Sequence, residues 1–253
     1  MEDQPINIHD LLCRALNVQI EQGLGEMIIN TQAATPVDTN EGSEILMENQ
    51  DNKYTNLTTA FDDPIGVAQY ESLDEHHQDI CQCQLCPLGK MRTKFVYGAG
   101  NPSADLMFVG EAPGKDEDLQ GEPFVGRAGK LLDKIIEAMK LKREDVYIAN
   151  ILKCRPPNNR DPQPDEMEKC FPFLKEQIRL VKPKIICALG RIGAQALLNT
   201  STPLGRLRKE WHRVEGIPTL VTYHPAALLR FPKYKKETWE DMQLIMEELK
   251  KMK

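Results

Sequence analysis

Residues 185–189, Ile185-Ile186-Cys187-Ala188-Leu189, form a short, unbroken, β-branched apolar run of the kind that reads as a strand buried on both faces. Three more such runs stand along the chain: Leu106-Met107-Phe108-Val109, Val146-Tyr147-Ile148-Ala149 and Thr219-Leu220-Val221-Thr222. Helical periodicity fills the intervals, at about Arg127 to Met139, Gln163 to Leu180, Arg191 to Leu198 and Glu237 to Lys250. Strands alternating with helices predict an α/β fold, a three-layer α/β/α sandwich with a central four-stranded parallel sheet.

In an open sheet of this class a ligand binds beyond the carboxyl ends of the strands. The segments that directly follow three of the runs are Gly110-Glu111-Ala112-Pro113-Gly114, Asn150 with Cys154-Arg155-Pro156-Pro157, and Tyr223-His224-Pro225. The residues with chemistry to offer are therefore expected along one rim.

The chain has 253 residues, 41% of them hydrophobic, enough for one core of roughly 150 to 200 residues and a tail. Its net charge of -6 is unevenly divided. Residues 1–76 carry two basic and 15 acidic side chains, a balance of -13, whereas residues 77–253 carry 30 basic and 23 acidic ones, a balance of +7. The first part reads as an acidic, largely disordered N-terminal extension. Within it Leu11, Leu12, Leu16, Ile20 and Leu24 recur at near-helical spacing and predict an amphipathic helix, docked on its own domain or offered to a protein partner. The second part reads as the folded domain, and its positive balance is compatible with phosphate contacts. No stretch approaches the roughly 18 apolar residues of a membrane span, and no basic region followed by an apolar run opens the chain, so a cytoplasmic location is expected; a monomer is expected as well.

Seven cysteines occur, and in a chain without an export signal they suggest a metal site before disulfides. Cys83 and Cys86 have the two-residue spacing that lets both thiolates hold one centre. Cys154 and Cys170 complete four ligands, too far apart in sequence for a zinc-ribbon knuckle. Zinc stays open as the alternative occupant, and Cys81 as a replacement for Cys83. Cys187 reads as core, and Cys13 has no evident role.

Five separated motifs, in order, resemble the family 4 uracil-DNA glycosylases: the Cys83/Cys86 pair, Gly110–Gly114, Pro123-Phe124-Val125-Gly126-Arg127-Ala128-Gly129, Asn150 with Lys153-Cys154-Arg155-Pro156-Pro157, and His224-Pro225-Ala226-Ala227-Leu228-Leu229-Arg230. The likeness covers roughly Cys83 to Lys250. It implies an enzyme acting on uracil-containing DNA, with residues 77–253 as the catalytic domain and a 4Fe-4S cluster on Cys83, Cys86, Cys154 and Cys170. Phe124 is then the ring that stacks on a flipped uracil, and Asn150 the amide that pairs with it. His224 is the donor to the developing uracil anion. The loop Glu111-Ala112-Pro113-Gly114 lies against base and sugar, with Glu111 binding the base and orienting water. Better-known relatives place Asp at the third loop position, where this chain has Ala112, which leaves Asp116, Glu117 and Asp118 as further carboxylates nearby. Arg155 and Arg230 are expected to contact DNA phosphates, Arg160 less so. His76, His77 and His212 read as surface residues.

Two readings from other classes compete: a non-catalytic iron-sulfur DNA-binding or replication-associated module on the same fold, and an iron-sulfur electron carrier. Phe124, Asn150 and His224 together disfavour both, since neither needs a uracil pocket.

Overall fold

A computed structural model describes residues 70–252; the amphipathic helix expected near Leu11 to Leu24 and Cys13 lie outside the described residues. The four apolar runs become β2 (Leu106–Gly110), β3 (Tyr147–Asn150), β4 (Ile185–Leu189) and β6 (Ile217–Thr222). These four are mutually parallel in the order β3-β2-β4-β6. Every residue of β2, β3 and β4 is buried, as strands covered by helices on both faces require.

Among the described residues two further strands flank these four, making a sheet of six. A two-residue β1 (Ala99–Gly100) adds antiparallel to β3, and β5 (Trp211–Val214) adds antiparallel to β6. Neither carries an apolar run. In β5 the residues Trp211 and Arg213 face solvent, and the turn into β6 uses Glu215 at φ 49° and Gly216 at φ 78°, the left-handed pair that suits the twist of a two-residue hairpin.

The helices cover this sheet. Among the described residues they are, in chain order, α1 (Leu73–Ile80), α2 (Lys115–Gln120), α3 (Arg127–Ala138), α4 (Pro164–Val181), α5 (Arg191–Leu197), α6 (Leu204–Leu207), α7 (Pro225–Arg230) and α8 (Lys235–Lys251). Helix α3 turns Leu131, Leu132, Ile135 and Ile136 inward, the spacing of one helical face. Helix α4 starts with Pro164 at its first position, where no N–H is needed, and Glu166 accepts from the Gln163 backbone N–H at 2.8 Å. It ends where Lys182 goes left-handed. Packing begins upstream of residue 77. His76, expected at the surface, is buried in α1, where its Nδ1 lies 2.8 Å from the Tyr97 hydroxyl.

The register brings the strand ends level: Gly110 pairs with Asn150, Val109 with Ala188, and Leu189 with Thr222. The connection from β2 runs one way across the sheet and that from β4 the other, so the crevice of this topology opens between their carboxyl ends. Among the described residues no helix is long and apolar enough to cross a membrane.

Candidate active site and cysteine cavity

Parallel pairing continues past the end of β3, because Ile151 N–H donates to Gly110 C=O and Leu152 N–H to Glu111 C=O, each at 3.0 Å. The two rim loops are thereby zipped together. Gly110 forms the floor between them. A Cβ there would stand 2.4 Å from Asn150 Oδ1 and 2.7 Å from Phe124 Cζ, closer than side-chain atoms can approach, so only glycine lets the amide and the ring converge.

Phe124 is brought in by its own backbone. It sits at φ 54°, and the first turn of α3 closes beneath it, where a Cβ on Gly129 would fall 1.8 Å from Phe124 C=O. Glu117 clamps the same region. One oxygen of its carboxylate accepts from Val125 N–H at 3.0 Å and Gly126 N–H at 2.9 Å; the other accepts from Gly114 N–H at 3.1 Å. The carboxylate thus ties the Gly110–Gly114 loop to the segment that carries the ring. Its neighbours Asp116 and Asp118 are divided, since Asp118 is buried and accepts from Thr93 N–H at 2.9 Å.

Asn150 is 2% exposed, and its Oδ1 is buried without a hydrogen-bond partner. Such an atom costs about 1–3 kcal/mol relative to a bonded one. It is a buried, unpaired acceptor at the point where the amide and the Phe124 ring meet over Gly110.

His224 closes the third side, its ring centroid 5.5 Å from that of Phe124 with the planes tilted by 33°. Gly190, at φ 87°, allows the approach, as a Cβ there would lie 2.8 Å from His224 Cβ. His224 caps α7, and its Nδ1 accepts from Ala226 N–H at 3.1 Å. Burial, with Arg230 adding to it, lowers its pKa to about 4. The ring is therefore neutral at pH 7, with its proton on Nε2.

Glu111 is partly buried, and burial raises its carboxyl to about 7; Asp161 pushes the same way and Arg191 opposes. Arg191 pairs with Asp161 at 3.2 Å. Ala112 and Gly114 are partly buried and Pro113 buried in the same loop. Arg230 is exposed at the end of α7, and Arg155 donates from Nε to Asn159 Oδ1 at 2.7 Å. Arg160 is committed elsewhere, bound to both oxygens of Glu166 at 2.9 and 2.5 Å.

The strand ends thus bring together an aromatic face, an unpaired amide acceptor and a neutral imidazole donor. The uracil-DNA glycosylase superfamily model matches residues 97–243, spanning all three groups. The chain belongs to that superfamily. Within it the likeness is to the type-4 branch. The chain is 46% identical over 185 residues to the type-4 uracil-DNA glycosylase of Archaeoglobus fulgidus, covering 70% of this chain and 93% of the relative. It is 44% identical to that of Saccharolobus solfataricus, covering 71% and 87%, and 42% identical to that of Sulfurisphaera tokodaii, covering 70% and 84%.

This superfamily member also has a pocket lined by Cys83, Cys86, Cys154 and Cys170 together with Leu85, Leu88 and Phe173. Cys81 is not part of the lining, and its thiol donates to Gln78 C=O at 3.4 Å. Cys187 lies in β4 with no exposure. Burial raises Cys154 to about 11 and Cys170 to about 12, so either thiol ionises only beside compensating positive charge. Arg92 stitches the ring of cysteines, donating to Cys83 C=O at 2.5 Å, Cys81 C=O at 2.8 Å and Cys154 Sγ at 3.5 Å. Among the described residues no three Cys, His, Asp or Glu side chains converge closely enough to grip one metal ion.

Proposed function

We propose that this protein removes uracil from DNA by hydrolysing its N-glycosidic bond, leaving an abasic site. The observation that carries the reading is the unpaired Oδ1 of Asn150 beside the ring of Phe124. Uracil in a duplex hides its glycosidic bond, so the nucleotide must swing out into a pocket. There Phe124 stacks on the base, for which an aromatic face supplies about 1–3 kcal/mol. Asn150 Oδ1 accepts from uracil N3–H while its NH2 donates to O4; cytosine presents these groups reversed and leaves buried atoms mispaired.

The C1′–N1 bond breaks with its electron pair moving onto the uracil ring. The His224 Nε2–H donates to O2, where that charge gathers. A water bonds to C1′, and its proton passes toward the Glu111 carboxylate. An oxocarbenium-like sugar accepts weakly activated water, so a single carboxylate in a part-buried loop suffices. Residues 77–253 hold this machinery, with Arg155 and Arg230 on the DNA phosphates.

The cysteine cavity is read as the seat of a 4Fe-4S cluster on Cys83, Cys86, Cys154 and Cys170. Its lining supplies the four thiols that such a cluster takes as ligands. Zinc is the alternative occupant, and would draw all four sulfurs to about 2.3 Å from one point. When bound, the cluster supplies metal–sulfur bonds that join residues 83–86 to the loop after β3 and to α4.

Incubation of cluster-loaded protein with a uracil-containing oligonucleotide, followed by alkali, tests the function. Cleavage at uracil and not at cytosine is expected, and intact strands would overturn the reading.

A further inference from the structure

Lys153 has no role in the chemistry described above, yet it is among the most deeply buried side chains, with no exposure at all. A buried ammonium is retained only where acceptors surround it. Its Nζ donates to Asn150 C=O at 2.8 Å and to Gln177 Oε1 at 2.5 Å. Gln177 is itself fixed, its Nε2 donating to Tyr97 C=O at 3.0 Å and Tyr147 OH at 3.1 Å. The Lys153 backbone is held as well, since its N–H donates to Cys170 Sγ at 3.3 Å and its C=O accepts from Val96 N–H at 2.9 Å.

One residue thus touches both sites: its main chain binds a cavity thiol, and its side chain binds the carbonyl of the residue whose amide faces the crevice. Cys170 and Gln177 both lie on buried positions of α4, so the helix that carries a cavity cysteine also carries the second anchor of the ammonium. We propose that Lys153 is the positioning residue through which the cysteine cavity and its cluster fix the aim of the Asn150 amide. The proposal rests on the reading of Asn150 as the group that recognises uracil. It gives the cluster a route to specificity that needs no electron transfer: a braced Cys170 holds the Lys153 backbone, and the ammonium holds the peptide of Asn150 so that its side chain cannot swing off the base.

The test uses the full chain with its cluster and free uracil as a competitive inhibitor, in the parent, Lys153→Met, Asn150→Ala and the double variant. Lys153→Met is expected to keep the visible absorption and the abasic-DNA affinity of the parent, while its inhibition constant for uracil rises on the order of 10-fold. In the Asn150→Ala background the same change should add less than about 2-fold, because contacting residues do not contribute additively. A merely structural lysine would weaken abasic-DNA binding equally or add its full effect in both backgrounds, and either result overturns the proposal. Should Lys153→Met not fold, Gln177→Leu removes one anchor of the ammonium and leaves every cysteine in place. A parent-like uracil constant in that variant would overturn the coupling. An unaffected Lys153→Met beside a weakened Asn150→Ala overturns the coupling alone, whereas an Asn150→Ala that binds uracil normally overturns the reading of Asn150 and the proposal with it.

Discussion

The rings of Phe124 and His224 lie 5.5 Å apart at a 33° tilt, one delivered by a left-handed turn ahead of α3 and the other by the cap of α7. Gly110 stands where the Phe124 ring and the Asn150 amide meet, so their approach depends on a missing methyl group.

Gly110→Ala places a Cβ 2.4 Å from Asn150 Oδ1 and 2.7 Å from Phe124 Cζ. Since a displacement of about 1 Å at a reacting centre can cost on the order of 100-fold in rate, uracil excision should drop by about that factor. Circular dichroism and the visible spectrum should stay those of the parent.

Asn150→Asp replaces the donor half of the amide with a second acceptor facing uracil O4. The unpaired atoms amount to about 1–3 kcal/mol, so single-turnover excision should slow roughly 10- to 100-fold. A rate within experimental error of the parent would exclude Asn150 from base recognition.

Glu111 titrates near 7 through burial and Asp161, and only its ionised form can take a proton from water. Excision should therefore fall as pH drops through about 7. His224, already neutral down to about 4, adds nothing to that limb. The pH–rate profile of Glu111→Gln should be low and flat over the same range; a surviving limb would assign it to another group.

Cys83→Ser should lose iron and the broad visible absorption, while Cys81→Ser should retain both, since Cys83 lines the cavity and Cys81 does not. Iron-to-protein ratios decide this. The reverse outcome would exchange the two cysteines as ligands.

His76 is buried against Tyr97, and burial lowers its pKa from 6.5 to about 4. The folded state thus disfavours the charged ring: its contribution to stability is whole above 6.5 and is lost as pH falls toward about 4. Melting temperature should decline through that window, less steeply in His76→Gln than in the parent.

The four parallel strands were legible because burial on both faces demands unbroken apolar runs, which few other structures need. The edge strands were not, since β5 alternates exposed and covered residues over four positions and β1 is two residues long. Helix α2 reads as a charged loop, Lys115-Asp116-Glu117-Asp118; what makes it a helix is Glu117 reaching back to Gly114. Asn150 and His224 stood out because each lies in a motif at a strand end, and Phe124 because the motif around it resembles the family's. Glu117 and Lys153 did not, as their partners lie on other segments and only tertiary contact reveals them. His76 was misplaced for the same reason: its partner Tyr97 lies beyond a loop.

Phe124 holds its backbone at φ 54°, a region where a residue with a Cβ costs on the order of 1–2 kcal/mol. Glycine at 124 would relax that turn and remove the aromatic face proposed to stack on the base. Heat resistance and repair therefore pull this position in opposite directions. A library of variants selected for thermal tolerance alone should drift away from phenylalanine there, and a lineage that keeps it does so under selection for the chemistry.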